Sequence, residues 1–189
     1  VASFLACKQA PPKEEQNQGS TPPPAVYQTR DSLIFEKIMA KAEAQEWGQK
    51  KPGKIIALTG EQFMGKPYKA HTLEVGKQEK IVVNLHAFDC TTFLESSLAL
   101  ALTIRNDYGG FNDFLKHLER IRYRNGRLNG YLSRLHYFSD WLYDNQKLNI
   151  INDMTEKLNG EPYTFKVNFM SKHPQYYKRL AGNDMIELL

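Results

Sequence analysis

The chain has 189 residues, and its 25 Lys and Arg against 21 Asp and Glu give a formal net charge of +4 at pH 7. A hydrophobic share of 41% excludes an intrinsically disordered chain, and a mean hydropathy of −0.55 without a long apolar run excludes a complete membrane-spanning helix. Two cysteines are too few for a disulfide framework or a four-cysteine zinc site, and the mild positive charge alone identifies no polyanionic partner.

Residues 1–30 differ in composition from the rest of the chain. Five of the nine prolines lie between residues 8 and 30 among Gln, Ser, Thr and Lys, which predicts an extended, solvated tether. The preceding run, VASFLAC, starts with Val and resembles a trimmed bacterial lipoprotein signal in which Cys7 carries the lipid. We therefore expect a lipid-anchored protein of the cell envelope, periplasmic or surface-facing, although an apolar terminus with an incidental cysteine is the alternative.

Residues 31–189 are predicted to form the folded part, in which helices outnumber strands. Most segments carry apolar residues at helical spacing, and in a few short segments apolar and polar residues alternate as in strands. The predicted elements are a helix from Asp31 to near Gly48, a helix over 54–64, strands over 68–74 and 80–85, helices over 92–105, 111–124 and 131–144, a strand over 163–170 and a short helix opened by Pro174. This pattern indicates an α+β fold, and the helix over 92–105 is apolar on nearly all sides, which predicts a position in the core.

Cys90 is the candidate nucleophile because it lies between a predicted strand and the apolar helix. If Asp89 caps that helix, Cys90 falls in its first turn, where free N–H groups and the helix dipole favour a thiolate. If Thr92 is the cap and Glu95 closes a capping box, Cys90 lies just outside the helix. Most free cysteines are buried and inert, and a nucleophilic one also needs a base, so the spacing alone leaves both a catalytic and a structural role open.

The residues around Cys90 also carry a family resemblance. The sequence DCTTFLE at residues 89–95 resembles the nucleophile motif of papain-like cell-wall amidases of the NlpC type, and most closely their N-acetylmuramoyl-L-alanine amidase-like branch. Further similar segments follow the order of that family: GKPY at 65–68, RYRNG at 122–126, SRLHYFSDW at 133–141 and NFMSKHP at 168–174. The resemblance extends over residues 33–180, which is nearly all of the folded part.

The resemblance implies a papain-like fold and a cysteine amidase. The implied reaction is hydrolysis of the amide between the lactyl group of N-acetylmuramic acid and L-alanine, in peptidoglycan or muropeptides. Cys90 would attack the carbonyl and form an acyl-enzyme that water then hydrolyses. We expect no cofactor, no metal site and no nucleic-acid partner, since the basic run of Arg120, Arg122, Arg124 and Arg127 is predicted to be a solvated helix end.

The family's general base is a histidine on a strand well after the nucleophile, and no such motif precedes Leu189. The resemblance therefore implies that residues 31–189 are the nucleophile-bearing part of the domain, helix-rich and with only part of the central sheet. His117 is predicted on a solvated helix face, and His136 and His173 are predicted to line the cleft or to be structural. His71 and His86 precede Cys90 and are poor candidates for the base.

Six further residues are predicted to support Cys90 or to position substrate. Asp89 and Thr91 flank the cysteine, and the resemblance implies that Tyr68 forms a hydrogen bond near it. The other candidates are Arg134, His136 and Asp140, because sugar and peptide offer amides, hydroxyls and carboxylates; alternatively, the arginine and aspartate form a local ion pair.

Two other functions stay open at this point. The first keeps Cys90 as the nucleophile but cleaves within the stem peptide, as other NlpC-type enzymes do. The second is a non-catalytic envelope lipoprotein or inactive fragment, which the missing histidine makes a serious alternative.

Overall fold

A computed structural model describes residues 23–161, 164–177 and 179–180. Its strands and helices are β1 (Ala25–Val26), α1 (Thr29–Ala44), α2 (Pro52–Glu61), β2 (Ile81–Val82), α3 (Cys90–Arg105), α4 (Phe111–Arg122), α5 (Phe138–Lys147) and α6 (Phe169–Lys172). Short 3-10 turns cover Trp47–Gln49, Arg124–Gly126, Tyr131–Ser133, Glu156–Leu158 and Pro174–Tyr176. The predicted lipid site at Cys7 and most of the predicted tether lie outside the described residues.

Helix α3 forms the centre of the core, as its apolar composition predicts. Leu98, Ala99, Leu100 and Ile104 are buried, and α2 and α4 pack on either side of the helix. The approach of α2 is close at Gly60, where a Cβ atom would lie 3.3 Å from the Cζ atom of Phe93. A helix that is apolar on nearly all sides needs enclosure by other elements, and residues 95–101 are all buried, whereas Phe93 near its start is 40% exposed.

The sheet has only two described strands, which run parallel. Ala25 pairs with Ile81 and Val26 with Val82, and the flanking hydrogen bonds Ile81 N–H to Pro24 O and Val83 N–H to Val26 O are 3.0 and 2.9 Å long. The strand predicted over 80–85 is thus confirmed at Ile81–Val82. Six helices with this small sheet make an α+β arrangement within the described residues.

The N-terminal helix starts two residues earlier than Asp31. Gln28 is its N-cap, and the Asp31 carboxylate is fully buried, where it accepts hydrogen bonds from the backbone N–H groups of Gln28 and Leu85 at 2.9 Å. It also accepts one from Nδ1 of His86 at 2.8 Å. Asp31 therefore ties α1 to the segment that leads to Cys90.

Two predicted strands are wrong within the described residues. Residues 68–74 form one isolated bridge, between Tyr68 and Phe88, followed by turns in which His71 has a φ of 60°. Residues 164–168 are irregular and lead into α6, and Phe165, which alternation placed on the buried face, is 76% exposed. Alternation alone does not specify a strand, and residues 164–168 are not part of one.

The helix predicted over 131–144 is broken. Tyr131–Ser133 is a 3-10 turn, and α5 starts only at Phe138. Between them, Arg134 forms an antiparallel bridge with Tyr123, and the Leu135 N–H donates to Arg122 O at 2.9 Å. This tertiary pairing uses backbone groups that a continuous helix would need.

In the described part of the chain, no helix has the length and apolarity needed to cross a membrane.

Candidate active site

Cys90 is the first residue of α3 and is exposed. Asp89 is the N-cap, as the first sequence alternative predicts. Its carboxylate accepts hydrogen bonds from the backbone N–H and the hydroxyl of Thr92, both at 2.8 Å, and the Thr92 hydroxyl accepts one from the Asp89 N–H at 3.0 Å. This reciprocal pair fixes the helix start, so that Cys90 lies where backbone N–H groups lack helical partners. The N–H groups of Cys90 and Thr91 make no hydrogen bond to the described residues.

The turn at residues 65–68 lies directly beside the Cys90 segment. Phe88 N–H donates to Pro67 O at 3.2 Å, and Lys69 N–H donates to Phe88 O at 2.8 Å. This pairing places Tyr68 next to Phe88, two residues before Cys90. The Tyr68 side chain is 76% exposed, however, and forms no hydrogen bond with the described residues, so the expected bond near Cys90 is not present here.

A cavity of about 210 Å³ adjoins the start of α3. Its lining includes four of the predicted site residues, namely Asp89, Thr91, Arg134 and His136. It also includes residues that the sequence did not indicate: His71, Thr72, Leu73, Glu74, Thr92, Glu95, Arg122 and Leu135. The two neighbours of Cys90 thus share one cavity with residues 40 or more positions further along the chain.

A buried ion pair lies against this cavity. Nε of Arg122 donates to Oε2 of Glu95 at 2.8 Å, and both side chains are almost completely buried. Nη1 of Arg122 donates to the carbonyl of Val82 at 2.7 Å. The arginine therefore connects α3, α4 and β2. The prediction that the basic run is a solvated helix end is therefore wrong for Arg122, which is buried. The other three arginines of the run, Arg120, Arg124 and Arg127, are exposed.

Arg134 forms a second buried network. It donates to Glu74, and its Nε lies 3.2 Å from Oε1 of Glu79. Arg179 Nη1 donates to Oε2 of Glu79 at 2.6 Å, and the hydroxyl of Tyr123 donates to Oε1 of the same carboxylate at 3.0 Å. Burial raises the pKa of Tyr123, so this hydroxyl keeps its proton at neutral pH. Arg134 is therefore held in place with its charge neutralised.

His136 is held in one tautomer. Nε2 lies 3.1 Å from the carbonyl of Tyr131, and since a carbonyl only accepts, Nε2 carries the proton and donates it. Burial, together with the nearby charge of Arg134, lowers the pKa of His136 to about 4. At neutral pH the ring is therefore uncharged, and Nδ1 is a free acceptor.

Asp140 is not part of the cavity lining. It forms a bidentate ion pair with Arg124, in which Nη1 and Oδ1 are 3.0 Å apart. The alternative in which Arg134 and Asp140 pair with each other is therefore wrong.

The other histidines occupy different surroundings. His117 on α4 is half-buried rather than solvated, and burial lowers its pKa. The ring of His173 lies 4.5 Å from that of Phe169 and 5.9 Å from that of Tyr176, measured between centroids. His86 is bonded to Asp31 and Arg30, whereas His71 lines the cavity.

Across residues 23–161, 164–177 and 179–180, no three His, Cys, Asp or Glu side chains form a group that could hold a metal ion.

The sequence contained only a weak signal for the missed cavity residues. Residues 71–74 come from the segment predicted as a strand, and the left-handed backbone of His71 is a turn feature that periodicity does not reveal. The sequence indicates Glu95 as a possible capping residue, but its buried partner Arg122 is 27 positions away. The Arg122–Glu95 ion pair could be inferred only if it were already known that α3 and α4 pack together and that both side chains are buried.

Comparison with known proteins identifies the family. The AmiA-like family, described as N-acetylmuramoyl-L-alanine amidase-like, matches residues 58–189. The chain belongs to this family. The matched residues include Cys90, all of α3 and every residue that lines the cavity at the start of this helix. No curated protein matches the chain.

Several solved structures align with the chain, and their names differ. An N-acetylmuramoyl-L-alanine amidase from Bacteroides uniformis aligns with a TM-score of 0.68 and 35% identity over 74% of this chain and 58% of its own. A Bacteroides fragilis protein with a proposed xylanase activity aligns with a TM-score of 0.62 and 40% identity over 69% of this chain and 57% of its own. A Legionella pneumophila protein, at 23% identity and a TM-score of 0.56, supports the fold alone. The chain spans less than two thirds of the length of these structures.

Proposed function

We propose that the chain is the nucleophile-bearing part of a cysteine amidase that hydrolyses the amide between N-acetylmuramic acid and L-alanine in peptidoglycan or muropeptides. The observation that carries this proposal is the position of Cys90: an exposed thiol at the first residue of a 16-residue helix, beside a polar cavity, in a chain of the amidase-like family. The similar amidase from Bacteroides uniformis supports the choice of bond.

The surroundings of Cys90 suit a thiolate nucleophile. The positive end of the α3 dipole stabilises negative charge on the sulfur, and the Asp89–Thr92 cap holds the helix start in place. The N–H groups of Cys90 and Thr91, which have no partner among the described residues, are candidate donors to the oxyanion of a tetrahedral intermediate.

The reaction has two steps. Sγ of Cys90 attacks the lactyl carbonyl carbon, and the tetrahedral intermediate collapses as the C–N bond breaks. The leaving nitrogen takes a proton from the protonated base, and the L-alanine end of the peptide departs with a thioester left on Cys90. Water then attacks the thioester while the base takes its proton, which releases the muramic acid carboxylate and restores the thiolate.

We propose that the base is a histidine on a strand well after the nucleophile, as the resemblance to papain-like NlpC-type enzymes implies. The chain itself has five histidines. His86, His117 and His173 do not line the cavity beside Cys90, and His136 is a poor proton acceptor because its pKa is lowered to about 4. His71 does line the cavity and is the residue to test should no later histidine serve.

We also propose that the enzyme works in the cell envelope. A lipid on Cys7 would anchor it, and the proline-rich segment up to residue 30 would act as a tether that lets the folded part reach the wall. Metabolic labelling with a palmitate analogue tests this: label on the chain that is lost in Cys7→Ser supports the anchor, and equal label in both contradicts it.

The test of the function is product analysis by mass spectrometry after incubation of the protein, expressed from its whole reading frame, with a defined muropeptide. We expect free peptide with an N-terminal L-alanine plus the intact sugar. Cys90→Ser should lower the rate by at least a thousandfold, because the alcohol is a far weaker nucleophile at this site. Cys7→Ser is the matched control and should keep full activity in detergent-free solution.

Three outcomes separate the alternatives. Cleavage within the stem peptide with an intact lactyl amide supports the endopeptidase. Activity that persists in Cys90→Ser rejects this nucleophile. A folded protein that cleaves neither bond supports a non-catalytic envelope protein.

A further inference from the structure

We infer that the surface formed by the last turns of α4 and the turn that follows them docks on anionic lipid headgroups, with the cavity at the start of α3 turned away from the membrane. The inference rests on the lipid anchor proposed for Cys7 and not on the amidase chemistry. Three features support it: the charge of a second cavity, the place where the tether reaches the folded part, and the opposite directions of two arginines on α4.

The first feature is a cavity of about 550 Å³ at the C-terminal end of α4. None of its described lining residues lines the cavity at the start of α3. Three cations line it, Lys116, Arg120 and Arg127, which we call the basic face. Glu119 is the one acidic residue among the described lining residues, and its Oε1 accepts the backbone N–H of Leu128 at 3.0 Å. The lining therefore carries a net positive charge.

The cations of the basic face keep most of their donors available for a ligand. Arg127 is exposed, and its guanidinium forms no hydrogen bond within the described part of the chain. Arg120 uses one N–H, which donates from Nη2 to the carbonyl of Leu148 at 3.3 Å. Lys116 lies 3.4 Å from Asp113 in an exposed pair, and such pairs are weak. All three side chains can therefore bind phosphate oxygens.

The second feature is the position of the tether. Pro23 and Pro24, the first residues that the structure describes, line the same cavity as the basic face. The carbonyl of Pro24 accepts the Ile81 N–H at 3.0 Å, which fixes the chain at this point. Pro23 follows Cys7 by 16 positions, a length that spans at most about 55 Å when fully extended. A lipid on Cys7 would therefore connect to the folded part at this face.

The third feature is the geometry of α4. Arg120 and Arg122 are two positions apart, and successive residues of an α-helix are about 100° apart, so the two side chains leave α4 on nearly opposite sides. Arg120 lines the cavity of the basic face, whereas Arg122 is buried against Glu95 and lines the cavity at the start of α3. A membrane on the basic face would therefore leave the start of α3, and with it Cys90, directed towards the wall.

Anionic lipid is the partner that these features fit. Negatively charged headgroups attract Lys and Arg side chains, and the attraction falls off within a Debye length, about 10 Å at 0.1 M salt. Only the face that lies on the membrane gains from it. The acyl chains on Cys7 would hold the protein at the membrane, and the basic face would set its orientation.

Vesicle sedimentation tests the basic face without the anchor. The Cys7→Ser protein, expressed from its whole reading frame, is mixed with phosphatidylcholine vesicles that contain or lack phosphatidylglycerol, up to millimolar lipid. We expect binding only with phosphatidylglycerol, and its loss in about 1 M salt, where the Debye length is about 3 Å. Arg127→Gln, which breaks no hydrogen bond within the described part of the chain, should weaken binding about fivefold, and Arg120→Gln with Arg127→Gln at least tenfold.

The matched control is Lys66→Gln with Lys69→Gln. These two lysines are exposed, and Lys69 belongs to the segment that pairs with Phe88 just before α3, on the side of the site. The control removes the same charge as the double arginine variant, and its affinity for the vesicles should stay within about twofold of the parent.

A second measurement reports the orientation of the lipidated protein. The isotopically labelled protein is placed in nanodiscs that contain phosphatidylglycerol and a lipid with a paramagnetic headgroup. We expect the amide resonances of Gly126 and Arg127 to broaden, while those of Lys66 and Lys69 stay sharp.

Four results would overturn the docking surface: equal binding with and without phosphatidylglycerol, an equal loss in both double variants, equal broadening on both sides, or displacement by millimolar inorganic phosphate at constant ionic strength. The last would show that the cavity takes a free oxyanion instead. Hydrolysis of a soluble muropeptide by the double arginine variant should equal that of its parent. A failure of the docking surface therefore leaves the amidase proposal in place, and vesicle binding without hydrolysis supports the surface and rejects the amidase.

Discussion

His136 illustrates how a single residue is set by its surroundings. A histidine in solution is half protonated near pH 6.5, but this one is buried beside the Arg134 guanidinium and holds the Tyr131 carbonyl through Nε2. Both the burial and the arginine disfavour the charged form, and the pKa falls to about 4. The residue is thus a fixed, neutral hydrogen-bonding group at neutral pH.

This lowered pKa makes stability depend on pH. Between pH 6.5 and 4 the unfolded chain binds a proton at position 136 that the folded chain does not, so stability is full above pH 6.5 and falls as the pH is lowered towards 4. We expect His136 to lower the free energy of unfolding by about 2 kcal/mol between pH 7 and pH 5. Urea unfolding followed by circular dichroism at the two pH values measures it.

His136→Gln is the variant for comparison, because glutamine can still donate to the Tyr131 carbonyl but does not titrate. His117 also has a pKa lowered by burial and contributes with the same sign, so the difference between the parent and His136→Gln isolates position 136. An equal loss in both proteins between pH 7 and pH 5 would show that His136 is not buried in its neutral form.

At the scale of elements, the start of α3 depends on contacts from several directions. The Asp89–Thr92 cap fixes its first turn, the turn at residues 65–68 pairs with Phe88 just before it, and Arg122 ties Glu95 on its second turn to β2. Cys90 is thus carried by a helix end that is held by three sets of contacts, and such support would position the nucleophile that we propose.

The Arg122–Glu95 pair should be the most sensitive of these contacts. Glu95→Gln leaves a buried arginine without its counter-charge, and we expect the free energy of unfolding to fall by about 3–5 kcal/mol. The double variant Arg122→Met with Glu95→Met should lose less, roughly 1–3 kcal/mol, because only the Val82 carbonyl is then left unpaired. Urea denaturation of the three chains gives these values.

The exposed pair of Lys116 and Asp113 is the control. Its atoms are 3.4 Å apart and both side chains are about 40% exposed, so Lys116→Gln should change stability by less than about 1 kcal/mol. If Glu95→Gln is as mild as this control, the buried pair does not hold α3 in place.

The elements also show what the sequence could and could not predict. Helix α3 was predictable because its residues are apolar on every side, and the position of Cys90 followed once Asp89 was considered as a cap. The break before α5 was not, because it depends on pairing between Tyr123 and Arg134, two residues in separate predicted helices. Residues 164–170 alternate like a strand, yet the described part is irregular and then helical, because alternation without a pairing partner does not specify a strand.

At the scale of the whole molecule, the cavity unites segments that are far apart in the sequence. Residues 71–74, the start of α3, the end of α4 and residues 134–136 all line it. Arg134 and His136 line it with Asp89 and Thr91, the two neighbours of Cys90, whereas Asp140 lies outside the lining and pairs with Arg124. Thr72 could not be predicted as a lining residue, because only the tertiary fold brings residues 71–74 beside the start of α3, whereas Glu95 lies on α3 itself and only its partner Arg122 is distant in the sequence.

The central claim is that Cys90 forms a covalent acyl intermediate. The most direct measurement is mass spectrometry of a rapidly quenched mixture of the protein, expressed from its whole reading frame, with an N-acetylmuramoyl-L-alanine muropeptide. We predict a muramoyl adduct on the peptide that contains Cys90, present in Cys7→Ser and absent in Cys90→Ala. Hydrolysis of the lactyl amide that continues in Cys90→Ala, or an adduct on any other residue, would contradict it.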